Sequence, residues 1–217
     1  MRRREVVALV SGGLDSYALV ACLLRSGAKV RPVYVRCGLR WEPVEQRALK
    51  RWLGKLRVGR LAVLDAPVRS LYGPQGHWSL TGRNVPGARS PDSAVYLPGR
   101  NLILLSHAAV YAARHGISTL ALGLLAGNPF GDATPAFLNA FSRCATQALG
   151  RRISILTPLQ GMSKTTVVRS TPPAHFALTF SCIQPRGLRH CGRCNKCAER
   201  RLAFRLAGIQ DPTAYAS

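Results

Sequence analysis

Two groups of residues in this 217-residue chain have the types and spacing for chemistry. Near the start, Ser11-Gly12-Gly13-Leu14-Asp15-Ser16 lies between the apolar run Val6–Val10 and the apolar stretch Tyr17–Leu24. A strand, a glycine turn and a helix in that order make an anion site. The glycines let the backbone approach a phosphate with no side chain between, and the first amides of the helix point at it. Ser11 and Ser16 add hydroxyl donors. Asp15 would repel a phosphate unless a cation lay between them, so its presence argues for Mg²⁺ together with a nucleotide. The plainer reading is a strand-to-helix turn with a serine cap.

The second group is Cys182, Cys191, Cys194 and Cys197, spaced C-x8-C-x2-C-x2-C. Four thiolates suit a tetrahedral Zn²⁺, and the nearby arginines and lysine offset the negative charge of such a site. With four protein ligands the metal has no open position, which makes its role structural. An iron–sulfur cluster is the rival reading, because C-x2-C-x2-C also suits cubane clusters. Disulfides belong to an oxidising compartment, and no secretory leader is visible. Cys22, Cys37 and Cys144 are scattered; Cys22 and Cys144 fall in apolar helical stretches and read as core.

The elements that must position these residues follow from periodicity. Strands are expected at 5–10, 29–36, 60–66, 118–124 and 152–156, with helices at 16–26, 42–55, 101–115 and 134–149. Such alternation implies an α/β fold, a Rossmann-like parallel sheet with helices on both faces. Gly27 is placed to stop the first helix. Residues 67–99 and 125–132 read as loops, and a long loop such as 67–99 is expected to border the active site. A short helix is expected around Lys164–Arg169, ended by Pro172 and Pro173. Residues 1–170 read as the nucleotide-binding α/β domain. Residues 171–217 read as a small C-terminal zinc-binding helical appendage packed on it, with a helix over Cys197–Leu206.

Composition narrows the class. Hydrophobic content is 47% and the net charge is +22. The longest apolar stretch, Leu102–Ala113, is interrupted by Ser106 and His107 and is too short to span a bilayer, so it reads as a buried helix. The basic start, Met1–Glu5, runs straight into a strand with no cleavage site, which makes a cytoplasmic protein the expectation. The excess charge is mostly arginine, scattered along the chain. It suits nucleic acid through counterion release, and it equally suits a GC-rich genome with anionic small-molecule binding.

The loop at 11–16 is neither a Walker A nor a dinucleotide-binding pattern. It resembles the signature of the PP-loop ATP pyrophosphatases, which split ATP between the α and β phosphates and adenylate a substrate. Together with the cysteine spacing it resembles the 7-cyano-7-deazaguanine synthase (QueC) family in particular. Ser79-Leu80-Thr81, Leu97-Pro98-Gly99-Arg100-Asn101-Leu102 and Thr157-Pro158-Leu159 followed by Ser163-Lys164 are similar to family segments. So are Gly192–Cys197, Glu199-Arg200-Arg201 and Ala207–Pro212, and the likeness runs from about residue 5 to 215.

The resemblance implies an adenine nucleotide alpha hydrolase-like fold and an ATP-dependent C–N ligase. The carboxylate of 7-carboxy-7-deazaguanine would be adenylated, ammonia would displace AMP to give the amide, and a second activation would dehydrate it to the nitrile. On this reading Asp15 holds Mg²⁺. The amides of Ser11–Ser16 and the charge of Lys164 stabilise the leaving pyrophosphate, and Arg100 reaches the substrate carboxylate or a phosphate. Asn101 bonds backbone or nucleotide, or caps its helix, and Asp132 meets the deazapurine edge or caps the helix beginning at Thr134. A homodimer is in keeping with the family. The stretches Arg36–Glu42 and Gly127–Thr134 depart from the family pattern. They leave open an offshoot that stops at the amide or joins the deazaguanine to an amine of a protein or other acceptor. A tRNA-modifying adenylating enzyme and a noncatalytic nucleotide-binding subunit also stay open.

Overall fold

The computed structural model describes residues 4–73 and 76–216; Arg2 and Arg3 of the basic start lie outside them. Five parallel strands, β1 (Glu5–Leu9), β2 (Lys29–Arg36), β3 (Ala62–Asp65), β4 (Thr119–Ala121) and β5 (Ser154–Leu156), form one sheet in the order β3-β2-β1-β4-β5. Seven helices accompany it: α1 (Leu14–Arg25), α2 (Glu42–Lys55), the single turn α3 (Trp78–Thr81), α4 (Arg100–Arg114), α5 (Pro135–Leu149), α6 (Lys164–Ser170) and α7 (Asn195–Ala207). A parallel sheet must be covered on both faces, and β1 shows it in its side chains. Val6 and Ala8 pack with α1, α2, α6 and α7, whereas Val7 and Leu9 pack with α4 and α5.

The chain leaves β1 toward β2 on one side and returns as β4 on the other. The carboxyl ends of β1 and β4 therefore diverge into a crevice, where ligands bind in open α/β sheets. Gly27, at φ 78, ends α1 as its position promised. The loop 67–99 contains α3 and a short 3-10 turn, Asp92–Val95, that periodicity did not show.

Two expectations need correction. The helix expected to be buried, α4, is amphipathic: Leu105, Ala108, Ala109 and Ala112 face the sheet, while Leu102 and Val110 are 46% and 49% exposed. Cys144 is exposed and Cys22 only half-buried, so neither is a core cysteine; Cys37, just after β2, is buried. Residues beyond 170 contribute to both cores, through Phe180 and the four clustered cysteines on one face and Phe176 and Phe204 on the other.

Candidate active site

The glycine turn after β1 is shaped by its own serines and by α2. The Ser11 N–H donates to Ser16 Oγ at 2.8 Å, and the Gly13 N–H donates to Ser11 Oγ at 3.2 Å. A Cβ on Gly12 would lie 2.5 Å from the Glu45 carbonyl oxygen and 2.9 Å from its Cγ, so only glycine fits against α2. The Gly12 carbonyl in turn accepts from the Phe180 N–H at 2.7 Å, which joins the turn to the C-terminal segment.

Lys164 opens α6, whose N-cap Ser163 accepts from the Thr166 N–H at 3.1 Å. Its Nζ donates to Asp15 Oδ2 and Glu199 Oε1, both at 2.9 Å. Lys196 donates to the other Glu199 oxygen at 2.7 Å. Burial works against the Lys164 charge, but the two carboxylates outweigh it and raise its pKa. Burial likewise opposes the Glu199 charge, and the two lysines overcome it, holding Glu199 down at about 2. Asp15 Oδ1 is buried with no hydrogen-bond partner among the described residues, an orphaned acceptor at the mouth of the turn. A divalent cation is the natural occupant of such an oxygen.

At the start of α4, Gly99 takes φ 68 and serves as N-cap. Asn101 is therefore not the cap. Its N–H and Nδ2 donate to Asp132 Oδ2 and Oδ1 at 2.8 and 3.1 Å, so Asp132 closes the first turn of α4. The helix after it is capped by Thr134, which accepts from the Phe137 N–H at 3.2 Å. Arg100 Nε is buried and partnerless among the described residues.

Three adjoining hollows of about 210, 220 and 200 Å³ meet at Asp15. The first is lined by Lys164, Lys196, Gly123 and Asn128. The second has an apolar wall of Trp41, Trp78, Leu97 and Phe130 with Glu45 and Arg100 in it. The Trp41 and Trp78 rings stack at 5.7 Å and 17°. The third runs between the carboxyl ends of β1 and β4 and is lined by Leu9, Val35, Leu122, Leu124 and Asn101. Ser11, Asp15 and Arg100 line both the second and the third; Lys164 lines the first and the second. Asp132 stands behind Asn101.

Glu45, Glu42 and Glu199 were not singled out from sequence. Acidic residues in the first turn of α2 read as ordinary complements to a helix dipole. The available signal was scarcity, for the chain has nine acidic residues, and Glu42 and Glu45 sit three apart at 3% and 7% exposure. The Glu42 oxygens accept the Cys37 and Gly38 N–H groups at 2.7 and 2.9 Å. Glu45 Oε2 accepts the Tyr34 hydroxyl at 2.7 Å. Burial pushes Glu45 up to about 7, against the pull of Arg100 and Tyr34.

The Sγ atoms of Cys182, Cys191, Cys194 and Cys197 are buried and lie within 4.8 Å of one another. The Cys182–Cys194 and Cys191–Cys197 separations are both 3.9 Å, too long for disulfides and close to the edge of a tetrahedron about Zn²⁺, roughly 3.8 Å for bonds of about 2.3 Å. Backbone N–H groups of Gln184 and Cys191 donate to Cys182 Sγ at 3.3 Å, as expected for a thiolate ligand. The donor set fits a four-coordinate metal. Behind it, buried Arg200 donates to Thr179 Oγ1 at 2.8 Å and to the Phe176 carbonyl at 3.0 Å, fastening α7 to the preceding segment.

None of the helices among the described residues is long and apolar enough to cross a membrane. The fold is similar to that of a 4-thiouridine synthetase solved with RNA and bound ATP, with a TM-score of 0.51 and 17% identity over 94% of this chain and 50% of that one. Relatives named 7-cyano-7-deazaguanine synthase are much nearer in sequence. The Anaeromyxobacter dehalogenans (strain 2CP-C) protein is 34% identical over 98% of this chain and 96% of its own length. That of Stutzerimonas stutzeri (strain A1501) is 32% identical over 99% and 100%. The family model described as queuosine biosynthesis protein QueC matches residues 5–208, and the chain belongs to that family.

Proposed function

We propose that this chain is an ATP-dependent C–N ligase that converts 7-carboxy-7-deazaguanine and ammonia to 7-cyano-7-deazaguanine by way of the amide. The observation that carries the reading is the meeting of three hollows at Asp15, with Lys164 and Arg100 beside it. Adenylation of a carboxylate needs such a junction. Adenosine takes the apolar hollow between β1 and β4, the heterocycle takes the hollow with the Trp41–Trp78 wall, and pyrophosphate departs past Lys164 and Lys196.

Asp15 Oδ1 would hold Mg²⁺, which supplies charge neutralisation of the phosphates. The amides of the Ser11–Ser16 turn other than those of Ser11 and Gly13, which donate to its own serines, bind phosphate oxygens, with Ser16 and Leu14 at the start of α1. Arg100, whose buried Nε has no partner among the described residues, pairs with the substrate carboxylate or the α phosphate. The carboxylate oxygen attacks the α phosphorus and pyrophosphate leaves. Ammonia then displaces AMP, and a second adenylation, on the amide oxygen, is followed by loss of AMP and protons to give the nitrile. Zn²⁺ at the four cysteines would be structural.

Mass spectrometry of the product formed from 7-carboxy-7-deazaguanine, ATP, Mg²⁺ and ammonium tests the reading. Nitrile is expected, with AMP and pyrophosphate released; a product that stops at the amide limits the reading to the first half. No substrate-dependent AMP release overturns it. Trp78→Ala should raise KM for the deazaguanine about tenfold while leaving KM for ATP nearly unchanged, since stacking on an aromatic wall is worth about 1–3 kcal/mol per base.

A further inference from the structure

Amide formation needs a group that takes a proton from the amine, and the cleft offers few. Glu42 spends both oxygens on backbone N–H groups, Asp132 both on Asn101, and Glu199 both on lysines. Asp92 is exposed and faces Lys196 at 3.6 Å. Asp15 has one oxygen on Lys164, and the other, buried with no hydrogen-bond partner among the described residues, is the one that would hold Mg²⁺. Glu45 is different. It lines the aromatic-walled hollow, 7% exposed, with Oε2 held by Tyr34 and no hydrogen bond to Oε1 among the described residues. Its carbonyl oxygen and Cγ pack so closely on Gly12 that no Cβ would fit between, which places Glu45 against the turn.

We propose that Glu45, oriented by Tyr34, is the proton acceptor for the amine that attacks the acyl adenylate. The inference rests on the reading of the site given above. The nitrogen lone pair forms the C–N bond and the carbonyl π electrons move to oxygen. Oε1 takes one proton from the cationic nitrogen. As the carbonyl re-forms, the C–O bond to phosphate breaks and AMP leaves with the electron pair. The proton passes to water when the product departs.

The charged and titratable groups around Glu45 are Tyr34 from β2, Glu42 from α2 and Arg100 from α4, with Asp15, Lys164 and Lys196 lining the same hollow. Burial and Glu42 raise the carboxyl; Arg100 and the Tyr34 hydroxyl lower it, leaving it poised at about 7. A base with that affinity accepts a proton and releases it near neutral pH.

The test uses the metal-loaded full chain and separates two steps. Carboxylate-dependent exchange of pyrophosphate into ATP reports adenylation, and amide formation reports the amine step. Glu45→Gln should slow the amine step about 100-fold, in the usual range for losing a general base, with exchange reduced only a few-fold. Hydroxylamine, a weakly basic nucleophile that is already neutral, should recover most of the loss. The acidic limb near pH 7 in the amide-forming rate should vanish in Glu45→Gln. In Tyr34→Phe it should move to higher pH, because the hydroxyl no longer favours the carboxylate. Equal losses in both steps, or an amine step that Glu45→Gln leaves intact, would overturn the proposal. Absence of exchange in the unmodified protein would instead sink the assignment of the substrate.

Discussion

Lys164 and Asp15 stand 149 residues apart in the chain, and their charged groups lie 2.9 Å apart. The contact ties α6 to the first turn of α1, and Glu199 completes it from α7. A lysine held by two carboxylates is fixed in direction, while its remaining proton is free for an oxygen of the substrate. Removing it should therefore damage transition-state stabilisation more than ground-state affinity. Lys164→Met is expected to lower the rate of AMP release about 100- to 1000-fold, the scale of losing one preorganised donor to developing charge. Single-turnover release of AMP at saturating ATP measures it.

The same cluster makes stability sensitive to acid. Glu199 is held down to about 2, below the ordinary glutamate value of 4.5. A depressed carboxyl contributes stability that is complete above the unfolded pKa and is lost as pH falls from about 4.5 toward 2. The Glu199 side chain keeps 29% of its surface in water, so the contribution is discounted to about 1–2 kcal/mol. Unfolding free energies from urea titrations of the unmodified protein and Glu199→Gln should differ by this amount at pH 7 and converge as pH falls toward 2; a difference independent of pH would refute it.

Gly12→Ala tests whether the turn is set by packing as well as by phosphate. The new methyl would meet the Glu45 carbonyl oxygen at 2.5 Å, a backbone atom on a helix that cannot yield cheaply. A loss of about 1–3 kcal/mol is expected, together with weaker ATP binding, because relief must come from moving the turn or α2. Thermal unfolding and ATP titration both read the effect. Gly38→Ala is a poor control, since Gly38 has φ 83 and strains for a different reason.

Much of this was legible beforehand where one element carries its own signal. Val6–Val10, the glycine turn and the apolar α1 announced the strand, the turn and the helix in order, and the cysteine spacing announced its cluster. The long-range partners were not legible. Nothing local tells that Glu199, on a helix that reads as amphipathic, will reach Lys164 from α6, or that Gly12 is confined by Glu45. Asp132 shows the same limit in reverse. Its position beside Thr134 suggested a cap for α5, but the fold turns it toward the backbone of Asn101 instead. The Trp41–Trp78 stack joins the start of α2 to a loop that periodicity left shapeless.

The cysteine cluster should matter to ATP although it lies outside the hollows. Phe180, two residues before Cys182, donates its N–H to the Gly12 carbonyl, and Glu199, two residues after Cys197, holds Lys164. Loss of the metal would leave four buried thiols crowded within 4.8 Å and free to separate, carrying both contacts with them. Cys194→Ser is expected to abolish stoichiometric zinc, lower the thermal midpoint and weaken ATP binding about tenfold or more. Elemental analysis with ATP titration checks this. Iron in place of zinc would revise the metal, and intact ATP affinity without metal would break the mechanical link.

Glu45 should be a liability to the fold. Its carboxyl is raised to about 7 from the ordinary glutamate value of 4.5, chiefly by burial. A raised carboxyl contributes stability that is fully present below the unfolded pKa, near 4.5, and lost as pH rises through the folded pKa near 7. At pH 8 the ionised Glu45 therefore costs about 3 kcal/mol relative to a neutral group of the same shape. Glu45→Gln keeps the oxygen that accepts from Tyr34 and removes the charge. It should be more stable than the unmodified protein at pH 8, by an amount that shrinks steadily and disappears near pH 5. Chemical unfolding of both proteins across that range decides the matter. A variant less stable at every pH would mean that the Arg100 charge needs Glu45 more than burial opposes it. A gain at pH 8 coupled to loss of the amine step would identify a destabilising carboxylate retained for its proton affinity.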